Sequence, residues 1–406
     1  MPNCSNGIDF SPKRDNCGET ILELNDVQNE VPLLDSVDGN ISLFKPHIPK
    51  NAISELEDTL SSRWIGQGPK VELFEQLFSE RFCDSDPGIA VGSGTDALHL
   101  AYILAGIGPG DEVITPVFTC TATNIPLLYL GAVPVFADVE PGTLNINLEN
   151  IESLITEKTK ALVCVHYGGL PCNMERIAEV ANKYGLKVIE DAAHAVGASY
   201  QGRNIGSISD FTMFSFQAIK HITTGDGGYL SFKDPGLLET ARRLRWFGID
   251  RSKKQLGIWE NDIQEVGFKY QMTDLGASIG IASLREFDDT LALRRSLFER
   301  YVANLRTLSQ IEVLSLETDE TKHAAWLFTI RTSRRRELQS FLAQRGIETN
   351  QVHYRNDRYS IFGVRRNNLP IMDQIENDYL VLPLHTQMSY RDVDRVTDSI
   401  VSYFKS

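Results

Sequence analysis

The chain has 406 residues, and 40 basic against 54 acidic side chains leave a net charge of −14. At roughly 150 residues per domain this length makes two or three domains, and 42% hydrophobic with 23% charged residues is the composition of a globular protein, not a disordered one. The negative balance repels phosphate backbones and anionic lipid surfaces, which excludes a general grip on nucleic acid or on a membrane as the first reading.

Six cysteines, at positions 4, 17, 83, 120, 164 and 172, form no C-x-x-C pair. That argues against a disulfide framework or a zinc cluster and for a reducing compartment. The amino-terminal string MPNCSNGIDFSPKRDNCGET has no apolar run after its charges. No later segment approaches the roughly 18 consecutive apolar residues of a membrane helix. A soluble, cytoplasmic protein is expected.

Residues 1–42 read as a polar, acidic amino-terminal extension with little periodicity. From Leu43 two amphipathic helical stretches flank a turn at Gly66-Gln67-Gly68-Pro69. Between about 88 and 235 short apolar runs (GIAVGS, DEVITPVF, VPVFADV, ALVCVHY, KVIEDAAHA, DFTMFSF, GYLSFKD) alternate with helical periods such as DALHLAYILAGI and MERIAEVANKYG. Apolar runs of this length between helices are the pattern of a mostly parallel sheet covered on both faces. A large α/β domain over 43–285 is predicted, its segment 43–70 contributing to a second domain or to the substrate cleft. Past 285 a long Arg- and Glu-rich helix precedes strands in IEVLSL and AWLFTI and helices in RRRELQSFLAQRG and YRDVDRVTDSIVSYF. Without strict alternation, 286–406 reads as a smaller carboxyl-terminal α+β domain, and Arg334-Arg335-Arg336 as a solvated helix face.

In open parallel sheets ligands sit beyond the carboxyl ends of the strands. Three such ends carry chemistry. In VGSGTDALHLAYILAG (91–106), Gly92, Ser93, Gly94 and Thr95 leave N–H groups at a helix start, a phosphate cradle. The string also fits the dinucleotide pattern G-x-G-x-x-A, but the acid expected at the end of the next strand is replaced by Thr115-Pro116-Val117-Phe118. A nicotinamide oxidoreductase is therefore a lesser alternative, beside a turn that holds no ligand. In KVIEDAAHAVGA (187–198), Asp191 either caps a helix or holds a positive charge on a bound heterocycle, with His194 nearby as a supporting or merely packed residue. In DFTMFSFQAIKHITTGDGGYLSF (210–232), Lys220 follows an apolar strand and precedes a glycine-rich turn. Desolvation there would lower the amine's pKa and free its lone pair for Schiff-base chemistry.

A phosphate cradle, a carboxylate 29 positions before a lysine, and that lysine beside a glycine turn are together what pyridoxal 5'-phosphate requires: an anion site, an acid for the pyridinium nitrogen and an amine for the carbonyl carbon.

The strings SGTDAL, IEDAAHAVGASYQGRNIGSISDF, FSFQAIKHITTGDGG and GFKYQMTD resemble the DegT/DnrJ/StrS family of pyridoxal-phosphate-dependent nucleotide-sugar aminotransferases, over about residues 43–400. The resemblance implies the aspartate-aminotransferase fold (PLP fold type I), usually as a homodimer with shared active sites. It implies that Lys220 attaches the cofactor, that Asp191 pairs with its ring nitrogen, and that Gly94, Thr95 and Ser215 bind its phosphate. It places His194 close to the ring and Gln271 near the stretch that reaches a partner's phosphate. Cys120 stands where an aromatic residue commonly stacks on the ring, and Gln217 where many members have His. The implied reaction moves an amino group from glutamate to a nucleotide-linked keto-deoxysugar, in polysaccharide or glycoside biosynthesis. Trp64, Gln67, His353, Tyr354 and Arg355 are candidate sugar or phosphate contacts, with loop packing as the competing reading. Relatives that carry His for the lysine perform dehydration, so His221 raises that alternative. A non-catalytic cofactor-binding regulator is another.

Overall fold

The computed structural model describes residues 39–149, 151–260, 262–366 and 368–405. Most of the predicted extension, residues 1–38, lies outside the described residues. Its last residues are not loose: Ile41 is buried, donates its N–H to the Gly346 carbonyl at 2.8 Å and bridges Ile347.

Seven strands form the main sheet: β1 (Gly88–Val91), β2 (Glu112–Pro116), β3 (Val133–Ala137), β4 (Thr159–Val165), β5 (Lys187–Asp191), β6 (Phe211–Ser215) and β7 (Gly228–Phe232). Their spatial order is β1-β7-β6-β5-β4-β2-β3, and β7 alone runs antiparallel to its neighbours. Period-two alternation sorts the strand residues onto two faces. Along β4, Leu162 and Cys164 enter one core with Val188, Phe214 and Tyr229, while Ala161 and Val163 enter the other with Val113, Ile189 and Leu230. The first face is covered by α2 (Pro69–Phe82), α5 (Met174–Tyr184) and α7 (Asp274–Arg285), with α1 (Ala52–Ser61) packed on α7; the second by α3 (Gly94–Leu104), α4 (Thr121–Tyr129) and α6 (Leu238–Leu244). A sheet dressed on both sides is why its strands read as continuous apolar runs.

α8 (Phe287–Leu305) joins two cores: Phe287 and Leu291 belong to the first, whereas Leu297, Phe298, Tyr301 and Leu305 pack with strands β9 (Phe328–Arg331) and β10 (Tyr379–Leu382), with α9 (Arg335–Ala343) and with α10 (Tyr390–Lys405). These two strands and β8 (Glu312–Val313) make a three-stranded antiparallel sheet. The strand expected in AWLFTI starts only at Phe328. Ahead of it Ala325 takes φ +53°, and the N–H groups of Trp326 and Leu327 both donate to the Gly168 carbonyl instead of to a strand. The IEVLSL strand is likewise cut to Glu312–Val313 by Ser315 at φ +61°.

Candidate active site

The site forms at the carboxyl ends of β5 and β6, beside the start of α3. Ser93 caps that helix by accepting the Asp96 N–H at 3.0 Å. Gly94 is required there because a Cβ would meet Met213 Sδ and Ser215 Cβ at 3.1 Å each. The glycine lets the helix start lie against the end of β6, which puts Gly94 beside Ser215. Asp96, one turn in, is pushed up to about 6 by burial, which reduces the negative charge opposing an anion at this helix end. The backbone of Tyr270 and Gln271 closes the cradle: Gly92 N–H donates to the Tyr270 carbonyl at 2.7 Å, and Gln271 bridges Val91. The Gln271 side-chain oxygen is buried and unpartnered.

Asp191, at the end of β5, is 4% exposed. One carboxylate oxygen accepts the Thr123 hydroxyl at 2.7 Å, and the other accepts the Ala193 N–H at 3.1 Å. Thr123 Oγ1 in turn lies 2.7 Å from Thr119 Oγ1. Burial raises the Asp191 pKa, and these hydrogen bonds oppose it.

Lys220 is half-buried by exposure but enclosed by packed groups, its Nζ 3.7 Å from the centroid of the Trp326 ring. Burial brings the amine down to about 8; Cys120 and Asp191 favour its charged form, and Arg294 disfavours it. His194 stacks on Trp326 at 3.8 Å and 17°, and His353 lies nearly parallel to His194 at 5.2 Å. Gly168 N–H donates to His194 Nδ1 at 3.3 Å, which leaves the proton on Nε2, 3.4 Å from His353 Nε2. Burial holds His194 well below the usual histidine range and His353 down at about 3, so both rings are neutral beside the lysine.

The other candidates separate. His221 is buried with Nε2 against the Ala324 carbonyl at 2.6 Å, committed to packing. Cys120 is exposed at the cap position of α4. Trp64 and Gln67 sit on the turn before α2, which is fixed by Asp274 accepting the N–H groups of Gly68, Lys70 and Val71 and by Arg251 donating to the Gln67 carbonyl. Tyr354 pairs with Thr119 in a two-residue ladder. Arg355, a candidate sugar or phosphate contact, is engaged by carboxylates. Only 2% exposed, it donates Nε and Nη2 to both Asp357 oxygens, and Nη1 to Asp373 and Glu376. Sequence reading missed Thr123 and Trp326: the first is one hydroxyl in a TCTATN string, and the second lies over 100 residues from the lysine it touches.

The family model for the DegT/DnrJ/EryC1/StrS aminotransferases matches residues 46–401. The chain belongs to that family. It is 36% identical over 370 residues to the spore coat polysaccharide biosynthesis protein SpsC of Bacillus subtilis, covering 87% of this chain and 95% of that protein. It is 36% identical to the GDP-perosamine synthase of Caulobacter vibrioides over 363 residues, 88% of this chain and 96% of that one. Among solved structures, the putative sugar aminotransferase Spr1654 of Streptococcus pneumoniae in its PMP form aligns with a TM-score of 0.84 at 31% identity, covering 89% of this chain and 98% of that one. AtS13 of Actinomadura melliaura aligns with a TM-score of 0.85 at 33% identity, covering 90% and 99%. An aminotransferase of this family uses pyridoxal phosphate. Among the described residues no helix is long and apolar enough to cross a membrane.

Proposed function

We propose that this aminotransferase moves an amino group from L-glutamate to a keto-deoxysugar carried on a nucleotide, as a cytoplasmic homodimer, in polysaccharide or glycoside biosynthesis. The observation that carries the reading is Lys220: an amine brought down to about 8 by burial, at the mouth of a sheet where Asp191 lies buried. The names of SpsC and the perosamine synthase support the substrate class.

The residues fit pyridoxal phosphate, because the glycine start of α3 against Ser215 is a cradle that a Cβ would fill. When bound, the cofactor supplies a carbonyl carbon and an electron-accepting ring that make the α-proton of an amino acid removable. The N–H groups of Gly94 and Thr95 and the Ser215 hydroxyl would hold its phosphate. Asp191 keeps a proton on the ring nitrogen, its carboxylate aimed by Thr123 and Ala193. Lys220 Nζ would accept the α-proton and give it back to complete a 1,3-shift. A pKa near 8 keeps part of the amine unprotonated at neutral pH, as a general base requires. His194 and Trp326 exclude water from the lysine's side.

The test is the visible spectrum of the purified protein, taken before and after borohydride and then after glutamate. A yellow band that borohydride fixes on Lys220, and that glutamate bleaches, is expected. A chain that stays colourless with added pyridoxal phosphate overturns the proposal, and a band that borohydride fixes but glutamate leaves unbleached moves a cofactor-binding regulator ahead.

A further inference from the structure

We propose that Trp326 is the positioning residue for the Lys220 amine, its ring face holding the ammonium while its indole N–H anchors the backbone one residue before that lysine. The inference rests on the reading above that Lys220 carries the reaction.

Two contacts converge on one short segment. Lys220 Nζ lies 3.7 Å from the indole centroid, inside the range of about 6 Å over which a ring quadrupole attracts a cation. Trp326 Nε1–H donates to the Ile219 carbonyl at 3.3 Å. A lysine stem has four rotatable carbons, and fixing both its root and its tip removes most of its freedom to point elsewhere. An amine so fixed meets its target without a search.

The indole is itself held with unusual firmness. Ala324 donates to the Gly169 carbonyl at 2.9 Å, and Trp326 and Leu327 donate to Gly168 at 2.9 and 3.0 Å. Ala325 is forced to φ +53°, its N–H on His323 Nδ1 at 2.6 Å and its carbonyl accepting from Arg294 at 3.4 Å. Gly169 sits at φ +103°, where a Cβ would press on the His194 carbonyl, Ala324 Cβ and Ala325 N at 2.9, 3.0 and 3.2 Å. A left-handed alanine persists only where its surroundings over-determine it. Here they deliver a 2% exposed indole onto the lysine.

The charged and titratable groups around the amine are Asp191 on β5, Cys120 at the cap of α4, Arg294 on α8, and the neutral rings of His194, His353 and His221. Burial outweighs the rest and lowers the amine, whereas the ring face favours its charged form. Substitutions at Trp326 therefore separate the two effects.

The test follows Lys220 in the full-length chain, stripped of carbonyl compounds with hydroxylamine, by reductive methylation against pH and peptide mass mapping. This readout needs no amino transfer, so failure of the aminotransferase reading leaves it intact. In Trp326→Ala water reaches the amine, and the midpoint is expected to rise by about one unit. Trp326→Phe restores the ring face and keeps the midpoint near that of the parent. A folded Trp326→Ala chain that titrates like the parent overturns the proposal. If Trp326→Ala does not fold, Trp326→Leu replaces it: leucine keeps the apolar screen without the ring face, so its midpoint should fall below that of Trp326→Phe. Equal midpoints in those two also overturn the proposal.

Discussion

Lys220 and Arg355 are both enclosed cations close to the ends of the sheet, and they have opposite surroundings. Arg355 meets three carboxylates, two of its nitrogens gripping Asp357, and their hydrogen bonds raise its pKa despite burial. Lys220 meets an aromatic face and neutral rings, and among the described residues no carboxylate forms an ion pair with it. Burial is common to both; the supply of counter-charge differs. A saturated cation is fixed as a structural member, whereas an under-paired one keeps a proton it can give up.

That contrast is tested first by Lys220→Ala. Removing the amine should lower amino transfer by at least about a thousand-fold. The melting transition should not fall below that of the parent, because burial disfavours the charged amine and no ion pair is lost with it. A variant that retains transamination ends the assignment. Arg355→Ala should do the reverse. It leaves Asp357, with no exposed side-chain surface, facing no cation, and the expected loss is about 3–5 kcal/mol in urea unfolding. Unchanged stability with a raised KM for the sugar nucleotide would return Arg355 to the substrate contacts.

The same pair shows how far the sequence could be read. Asp191 and Ser215 each end an apolar strand, Lys220 follows Ser215 by five residues and Gly94 opens the helix after β1, so position along the chain also gives position near the mouth of the sheet. The ion pairs of Arg355 were less legible, because two of its partners, Asp373 and Glu376, lie 18 and 21 residues on, at a helix whose packing no local pattern announces. His353, two residues earlier in the same string, lies with Nε2 3.4 Å from His194 Nε2. The main sheet was similarly plain from its apolar runs. The strands at IEVLSL and AWLFTI were overextended, because left-handed residues that are not glycine carry no sequence signature.

Thr123→Val is a milder probe of the same principle at Asp191. Valine keeps the shape and removes the hydroxyl that the carboxylate accepts at 2.7 Å, leaving the Ala193 N–H as its remaining donor among these. With less support for its charged form, Asp191 should hold the ring proton less firmly, and kcat should fall about tenfold, an effect of one hydrogen bond. Thr119→Val, one hydroxyl further out, should cost less. Equal rates in Thr123→Val and the parent would place the aiming of Asp191 in the backbone N–H alone.

A last probe of the contrast is the slope of stability against pH in the cofactor-free chain. The Lys220 amine lies at about 8 when folded, below its ordinary 10.5, so between those values the unfolded chain binds the additional proton. Stability contributed by this group therefore rises with pH from about 8 and is complete above 10.5. Arg355 titrates outside this window and contributes no slope there. Lys220→Met should flatten the curve between pH 8 and 10.5 relative to the parent, as read by urea midpoints at fixed ionic strength. Parallel curves would mean that the folded amine titrates like an exposed lysine, and the distinction between the two cations would then rest on hydrogen bonding alone.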